Sequence, residues 1–138
     1  MELDERLERA RQFHGHLGPC LILGLRIGEA IVRELGGRRY FGLSVVAKCP
    51  PQPPPSCVLD GLQLSTGCTM GKRNISLEPG EPPIVVRAQV EETGQSVAFQ
   101  ARPEALERAL AKMKSEGEVA ASLWFYGLSD EEMFRRLE

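Results

Sequence analysis

The chain reads as an α+β domain, an antiparallel or mixed sheet packed with helices. Three observations lead there. Apolar residues recur at helical spacing at the start of the chain, short β-branched runs separated by turn signals fill the middle, and helical spacing returns towards the end. Helices and strands are therefore segregated, which favours α+β over an alternating parallel sheet. At 138 residues the chain suits one domain, 1–138, with a single core.

Residues 1 to 12 form the first expected helix, with Leu3, Leu7 and Ala10 on one face and His14 extending it. Gly15 and Gly18 break that pattern. Pro19 suits the first turn of a second helix, since its missing N–H would be unpaired there anyway. This helix runs to about Leu35. Only Arg26, Glu29 and Arg33 make a polar stripe on it, so most of it is buried. Gly24 and Gly28 lie on its apolar side. Each costs roughly 1 kcal/mol against alanine, which implies close packing of another backbone or subunit.

Gly36-Gly37 ends the second helix, and Tyr40 to Lys48 is a strand candidate. The proline run from Pro50 to Pro55 reads as a stiff, extended connector. Ser56 suits the N-cap of a short helix from Cys57 to Ser65. On that helix Cys57, Asp60, Gly61 and Leu64 share one face, and Val58, Leu59 and Leu62 point into the core. Thr66 to Lys72 is a turn-rich loop. Asn74 to Leu77 reads as a strand, followed by a turn at Glu78-Pro79-Gly80. Ile84 to Glu91 and Ser96 to Ala101 form a hairpin around Thr93-Gly94. Pro103 opens a helix to about Ser115, and Glu118 to Tyr126 fits either helix or strand. Ser129-Asp130-Glu131-Glu132 has the form of a capping box, so a last short helix is expected to reach the C-terminus.

The bulk numbers narrow the function. Net charge is −2, and no basic run stands out, so a nucleic-acid partner is not expected. The longest apolar run, Cys20 to Leu23, is far short of the roughly 20 residues that span a bilayer. The charged N-terminus is unlike a signal peptide, which points to the cytoplasm. There, four cysteines are metal ligands, reactive groups or core residues more often than disulfides.

Chemistry-bearing residues concentrate in His14 to Cys20 and in Cys57 to Asn74, and the two segments are expected to meet across one cleft. His14 and His16 are the chain's two histidines, beside a helix start. Two thiolates, Cys57 and Cys68, with one or two imidazoles suit zinc or another borderline-soft metal. Core packing would equally explain both cysteines. Cys20 sits where a helix dipole favours a thiolate, or is a small buried residue. Cys49 reads as a strand-end residue near Cys57. Asp60 could orient an imidazole or act as a base. Thr69, Gly71, Lys72 and Asn74 resemble an anion-binding loop, without the spacing of a nucleotide P-loop.

Taken together, Phe13-His14-Gly15-His16-Leu17-Gly18-Pro19, Gly24-Leu25-Arg26, Ser56 to Gln63 and Ser65 to Ile75 resemble the FmdE family of formylmethanofuran dehydrogenase-associated proteins, over roughly residues 10 to 100. The resemblance implies an α+β core domain that tends to pair into homodimers. It also implies a link to the accessory component of formylmethanofuran dehydrogenase, a molybdenum or tungsten enzyme of methanogenesis. Some members carry a C-terminal zinc finger. No cysteine follows Cys68 here, so a core-only member is expected. Many members read His-x-Cys-Pro-Gly where this chain has His16-Leu17-Gly18-Pro19-Cys20, so the cysteine is displaced.

With the resemblance included, the expected function is metal binding, with His14, His16, Cys57 and Cys68 as ligands, zinc as the default metal and Lys72 nearby. Cys57, Asp60 and Lys72 are the expected catalytic residues, and Thr69, Lys72 and Asn74 the expected anion site. Two alternatives remain. One is a delivery protein for a molybdenum or tungsten enzyme, handling a metal, sulfur or a pterin-type cofactor. The other is a thiol enzyme with Cys57 or Cys68 as nucleophile, His16 as base and Asp60 orienting it.

Overall fold

The helix that sequence periodicity marks as buried, α2 (Pro19–Glu34), runs through the centre of the molecule with twelve buried residues. The structure, a computed structural model, describes residues 4–137. Before α2 comes α1 (Glu5–His14), whose N-cap Asp4 accepts a hydrogen bond from Leu7 N. Gly15 at φ 103° ends α1 in a left-handed turn, so His14 closes the helix and His16 lies beyond it. Leu7 and Ala10 are buried as expected, and Leu3 lies outside the described residues.

The strands are β1 (Leu43–Cys49), β2 (Ile75–Pro79), β3 (Val85–Val90), β4 (Ser96–Ala101) and β5 (Phe134–Leu137), in the sheet order β2-β1-β3-β4-β5. β1 and β2 are parallel, and the other neighbours are antiparallel. β1 alternates, with Leu43, Val45, Ala47 and Cys49 buried and Lys48 exposed, as a strand with one covered face must. The parallel pair needs a crossover, supplied by α3 (Val58–Thr66). The remaining helices are α4 (Pro103–Glu116), α5 (Glu118–Tyr126) and α6 (Asp130–Met133).

Helices α2 and α3 pack backbone against backbone. A Cβ on Gly24 would stand 2.1 Å from Val58 O, and one on Gly61 would stand 2.2 Å from Leu21 O. Only glycine lets the two backbones approach this far. The partner of Gly24 and Gly28 is thus the chain's own α3, not another subunit. Ser65 Oγ donates to Gly61 O at 2.8 Å and to Gly24 O at 3.2 Å, so its buried hydroxyl is satisfied at the seam.

Several local expectations are corrected. Tyr40 to Gly42 is a turn, not strand, with Tyr40 at φ 68°. The proline run is not extended throughout. It curls so that Ser56 N donates to Gln52 O and Cys57 N to Pro54 O, and Pro55–Cys57 forms a 3-10 turn. That turn makes Cys57, not Ser56, the residue before α3, and no side chain caps the helix. Gly61 faces α2 rather than sharing an open face with Asp60, while Leu59 is only partly buried. The capping box at Ser129 is present, but α6 lasts one turn. The chain then becomes β5, because Phe134 buries edge-on against Phe99, 5.2 Å between ring centroids, and the strand covers the free edge of β4.

Candidate functional site

The first turns of α2 and α3 and the end of α1 converge on one corner. Helices α2 and α3 run parallel, since Gly24 meets Gly61 and Gly28 meets Ser65. Both amino ends, with the partial positive charge of their unpaired N–H groups, therefore lie on the same side. A small cavity of about 40 Å³ opens there, lined by His14, His16, Cys20, Cys57, Pro54 and Met113, among others.

Asp60, in the first turn of α3, reaches the last residue of α1. His14 Nδ1 and Asp60 Oδ2 are 2.5 Å apart. A carboxylate accepts, so Nδ1–H donates, and Nε2 is the ring nitrogen without a partner among the described residues. His16 repeats the arrangement with other partners. Its Nδ1 lies 2.9 Å from both Leu17 O and Glu118 Oε2. Both are acceptors, so Nδ1–H donates and Nε2 is again the free atom. The two rings are tilted at 43° with centroids 4.8 Å apart. The His14 side chain is 12% exposed and that of His16 54%, giving one fixed imidazole and one free to turn.

The thiols differ in the same way. Cys20 is 2% exposed, and burial, then the nearby Cys57 and Cys49, push its pKa up to about 12. Cys57 is partly exposed, with its pKa raised by burial first and the charge of Asp60 second. Both stay protonated at neutral pH until something replaces the proton. Cys49 is buried at the end of β1, and burial raises its pKa too.

The second expected half of the site lies elsewhere. Cys68 follows α3, is fully buried, and its Sγ donates to Leu43 O at 3.4 Å. Burial raises its pKa, partly offset by Thr66 and Lys72. A helix of nine residues, roughly 13 Å long, separates this end from the corner at Cys57. Lys72 Nζ donates to Gly67 O at 2.7 Å and Thr69 Oγ1 at 3.3 Å. Asn74 Oδ1 accepts from Thr69 N at 2.9 Å, and its Nδ2 donates to Tyr40 O at 2.8 Å. The groups read as an anion site thus bond to one another and to the backbone.

The structure therefore brings together His14, His16, Cys57 and Asp60, adds Cys20, and leaves out Cys68, Thr69, Lys72 and Asn74. Asp60 orients His14, whereas the thiol-enzyme alternative pairs it with His16. Sequence reasoning misses Glu118, since no local motif marks it and only the fold of α5 brings it to His16. Among the described residues, no three His, Cys, Asp or Glu side chains stand close enough, as placed, to hold a metal ion.

Comparison with known proteins places the chain in a family. The family described as "FmdE, Molybdenum formylmethanofuran dehydrogenase operon" matches residues 13–134, which begin just before His14 and run into β5. The chain belongs to the FmdE family. A "Probable S-adenosyl-L-methionine-binding protein" of Archaeoglobus fulgidus is 32% identical over 80 residues, 54% of this chain and 20% of that protein. The chain thus spans about a fifth of that relative's length. No helix among the described residues is long and apolar enough to cross a membrane.

Proposed function

We propose that this FmdE-family chain binds a divalent transition metal, zinc by ligand type, at the corner formed by His14, His16 and Cys57, with Cys20 as a further sulfur donor. The observation that carries the reading is the cavity lined by two imidazoles and two thiols, with His14 already oriented by a carboxylate, as metal-bound histidines usually are. Nitrogen and sulfur donors suit zinc. About 40 Å³ suits an ion or a water or two and is far below the roughly 300 Å³ of a small-molecule pocket. The name of the A. fulgidus relative is therefore not carried over to this corner. Capture requires His16, the exposed ring, to leave Glu118 and turn inward, and Cys57 to lose its proton. Bound metal would polarise a ligand at an open position. Asp60 would hold the Nδ1 proton of His14, and Met113 and Pro54 would limit water.

Zinc per chain, measured by elemental analysis on reduced protein, tests this. Near-stoichiometric metal that is lost in Cys57→Ala and kept in Cys68→Ala is expected. No zinc in the wild type and no affinity in a chelator competition would overturn it.

A second reading rests on the family description. In it the chain serves a molybdenum or tungsten oxidoreductase in the cytoplasm without chemistry of its own, and hands on a pterin-type cofactor or an oxyanion. Molybdate or tungstate binding without zinc binding would favour it. Homodimerisation belongs to either reading. It is supported by exposed apolar side chains, Phe41 at 72%, Tyr40 at 57% and Met70 at 55%, on two loops that Asn74 joins through Tyr40 O and Thr69 N. A Phe41→Asp variant that still sediments as a dimer would remove that face from the interface.

A further inference from the structure

We propose that Cys20 and Cys57 form a redox pair that closes reversibly into a disulfide, with Cys57 as the attacking thiol and Cys20 as the resolving thiol. The inference does not depend on the metal reading.

Helix register supplies the first argument. Gly24 meets Gly61, and Gly28 meets Ser65, so contacts advance in step along two parallel helices. Carried four residues back, the same register points from Cys20, in the first turn of α2, to Cys57, the last residue of the 3-10 turn that leads into α3 and contacts α2. At Gly24 and Gly61 the backbones are as near as glycine allows, and the first turn of α2 lies just before that contact. Disulfides need Cα atoms roughly 4.4–6.8 Å apart, which helices packed on glycine can provide.

The cavity supplies the second. Both thiols line the same space of about 40 Å³, which Cys49 and Cys68 do not line. Closing the bond moves sulfur into a void rather than into packed atoms.

Asymmetry supplies the third. Cys57 is partly exposed and Cys20 is buried. A dissolved disulfide can thus reach Cys57, and only an internal thiol can then reach Cys57 from behind. This is the order that thiol–disulfide exchange requires.

The reaction balances with a low-molecular-weight disulfide as oxidant. Cys57 gives its proton to solvent, and its thiolate attacks one sulfur of the reagent. The reagent S–S bond breaks, and one thiolate leaves and takes a proton. The Cys20 sulfur then attacks Cys57 Sγ, the bond between Cys57 and the reagent sulfur breaks, and the departing thiolate takes up the proton that Cys20 loses. Two cysteine thiols are oxidised to one disulfide, and one reagent disulfide is reduced to two thiols.

The test equilibrates reduced, metal-free protein with oxidised glutathione and counts free thiols in denaturant. Wild type should fall from four to two, with a Cys20–Cys57 cross-linked peptide by mass spectrometry and full recovery in dithiothreitol. Cys49→Ala, which leaves the pair intact, should fall from three to one. Cys57→Ser should lose no pair of thiols. Four remaining thiols, glutathione held on Cys57 without an internal cross-link, or a bond to Cys49 or Cys68 would each overturn the proposal. Zinc binding by the reduced protein is a separate readout, so either idea can fail alone.

Discussion

The two ends of α3 carry similar residues and do different work. At the amino end, His14, His16, Cys20 and Cys57 line a cavity, Asp60 holds His14 from outside it, and neither imidazole Nε2 has a hydrogen-bond partner among the described residues. At the carboxyl end, Cys68, Thr69, Lys72 and Asn74 have the same polar character and are bonded to the backbone or to one another. A lysine whose ammonium sits on Gly67 O and Thr69 Oγ1 fastens a loop, whereas an imidazole with one nitrogen uncommitted can take a ligand. Residue type alone does not separate the two ends; the partners each group already has do.

Opening the seam that holds the amino end together has the largest expected effect. Gly24→Ala puts a Cβ 2.1 Å from Val58 O, so urea unfolding should show a loss of about 3 kcal/mol, at the upper end for overpacking. A loss under about 1 kcal/mol would mean that the seam yields and does not fix the corner. Next, Asp60→Asn keeps the shape but removes the carboxylate from His14. Zinc affinity should fall about 10–100-fold, read by chelator competition, with Cys68→Ala unchanged. An equal fall in both would dissolve the distinction between the ends.

Asp130 tests whether the C-terminal segment is latched independently of the corner. It accepts from Arg26 and Arg33 at 2.7 and 2.8 Å. Burial alone would raise its pKa, but the two guanidinium hydrogen bonds outweigh it and the net shift is downward. The folded-state pKa lies below the unfolded one, so the contribution is present above the unfolded value of about 3.9 and is lost as pH falls through the folded one. Because the carboxylate is about a third exposed, Asp130→Asn should cost about 1 kcal/mol at pH 7. The gap from wild type should close in acid, and zinc affinity should not change. A gap constant between pH 7 and pH 3 would show that charge is not the cause. The smallest effect belongs to Lys72→Met, about 0.5 kcal/mol of stability at a partly exposed hydrogen bond and no change in zinc affinity. A tenfold loss of zinc would return Lys72 to the site.

Much of the fold was legible in the chain. The apolar α2 with one polar stripe, the β3–β4 hairpin, the proline that opens α4 and the capping box at Ser129 are all local signals, and each formed where the pattern put it. The glycines at 24 and 28 announced a close approach before its partner was known. Local signals failed where distant contacts outweighed them. Phe134 to Leu137 follow a helix-capping signal and yet pair with β4. Tyr40, which fits a strand by propensity, turns instead, donating through its N–H to Thr66 O.

Most of the elements, the α+β class, the FmdE family and the residue types able to do chemistry were legible along the chain. All of these depend on short-range spacing or on motifs read along the chain. Which of those residues meet depends on how distant elements pack. Parallel packing of α2 on α3 brings Cys20 to Cys57, the fold of α5 brings Glu118 to His16, and the length of α3 keeps Cys68 and Lys72 away from the corner. Those outcomes follow from the direction in which two helices pack, and no window of sequence contains both helices' contacts.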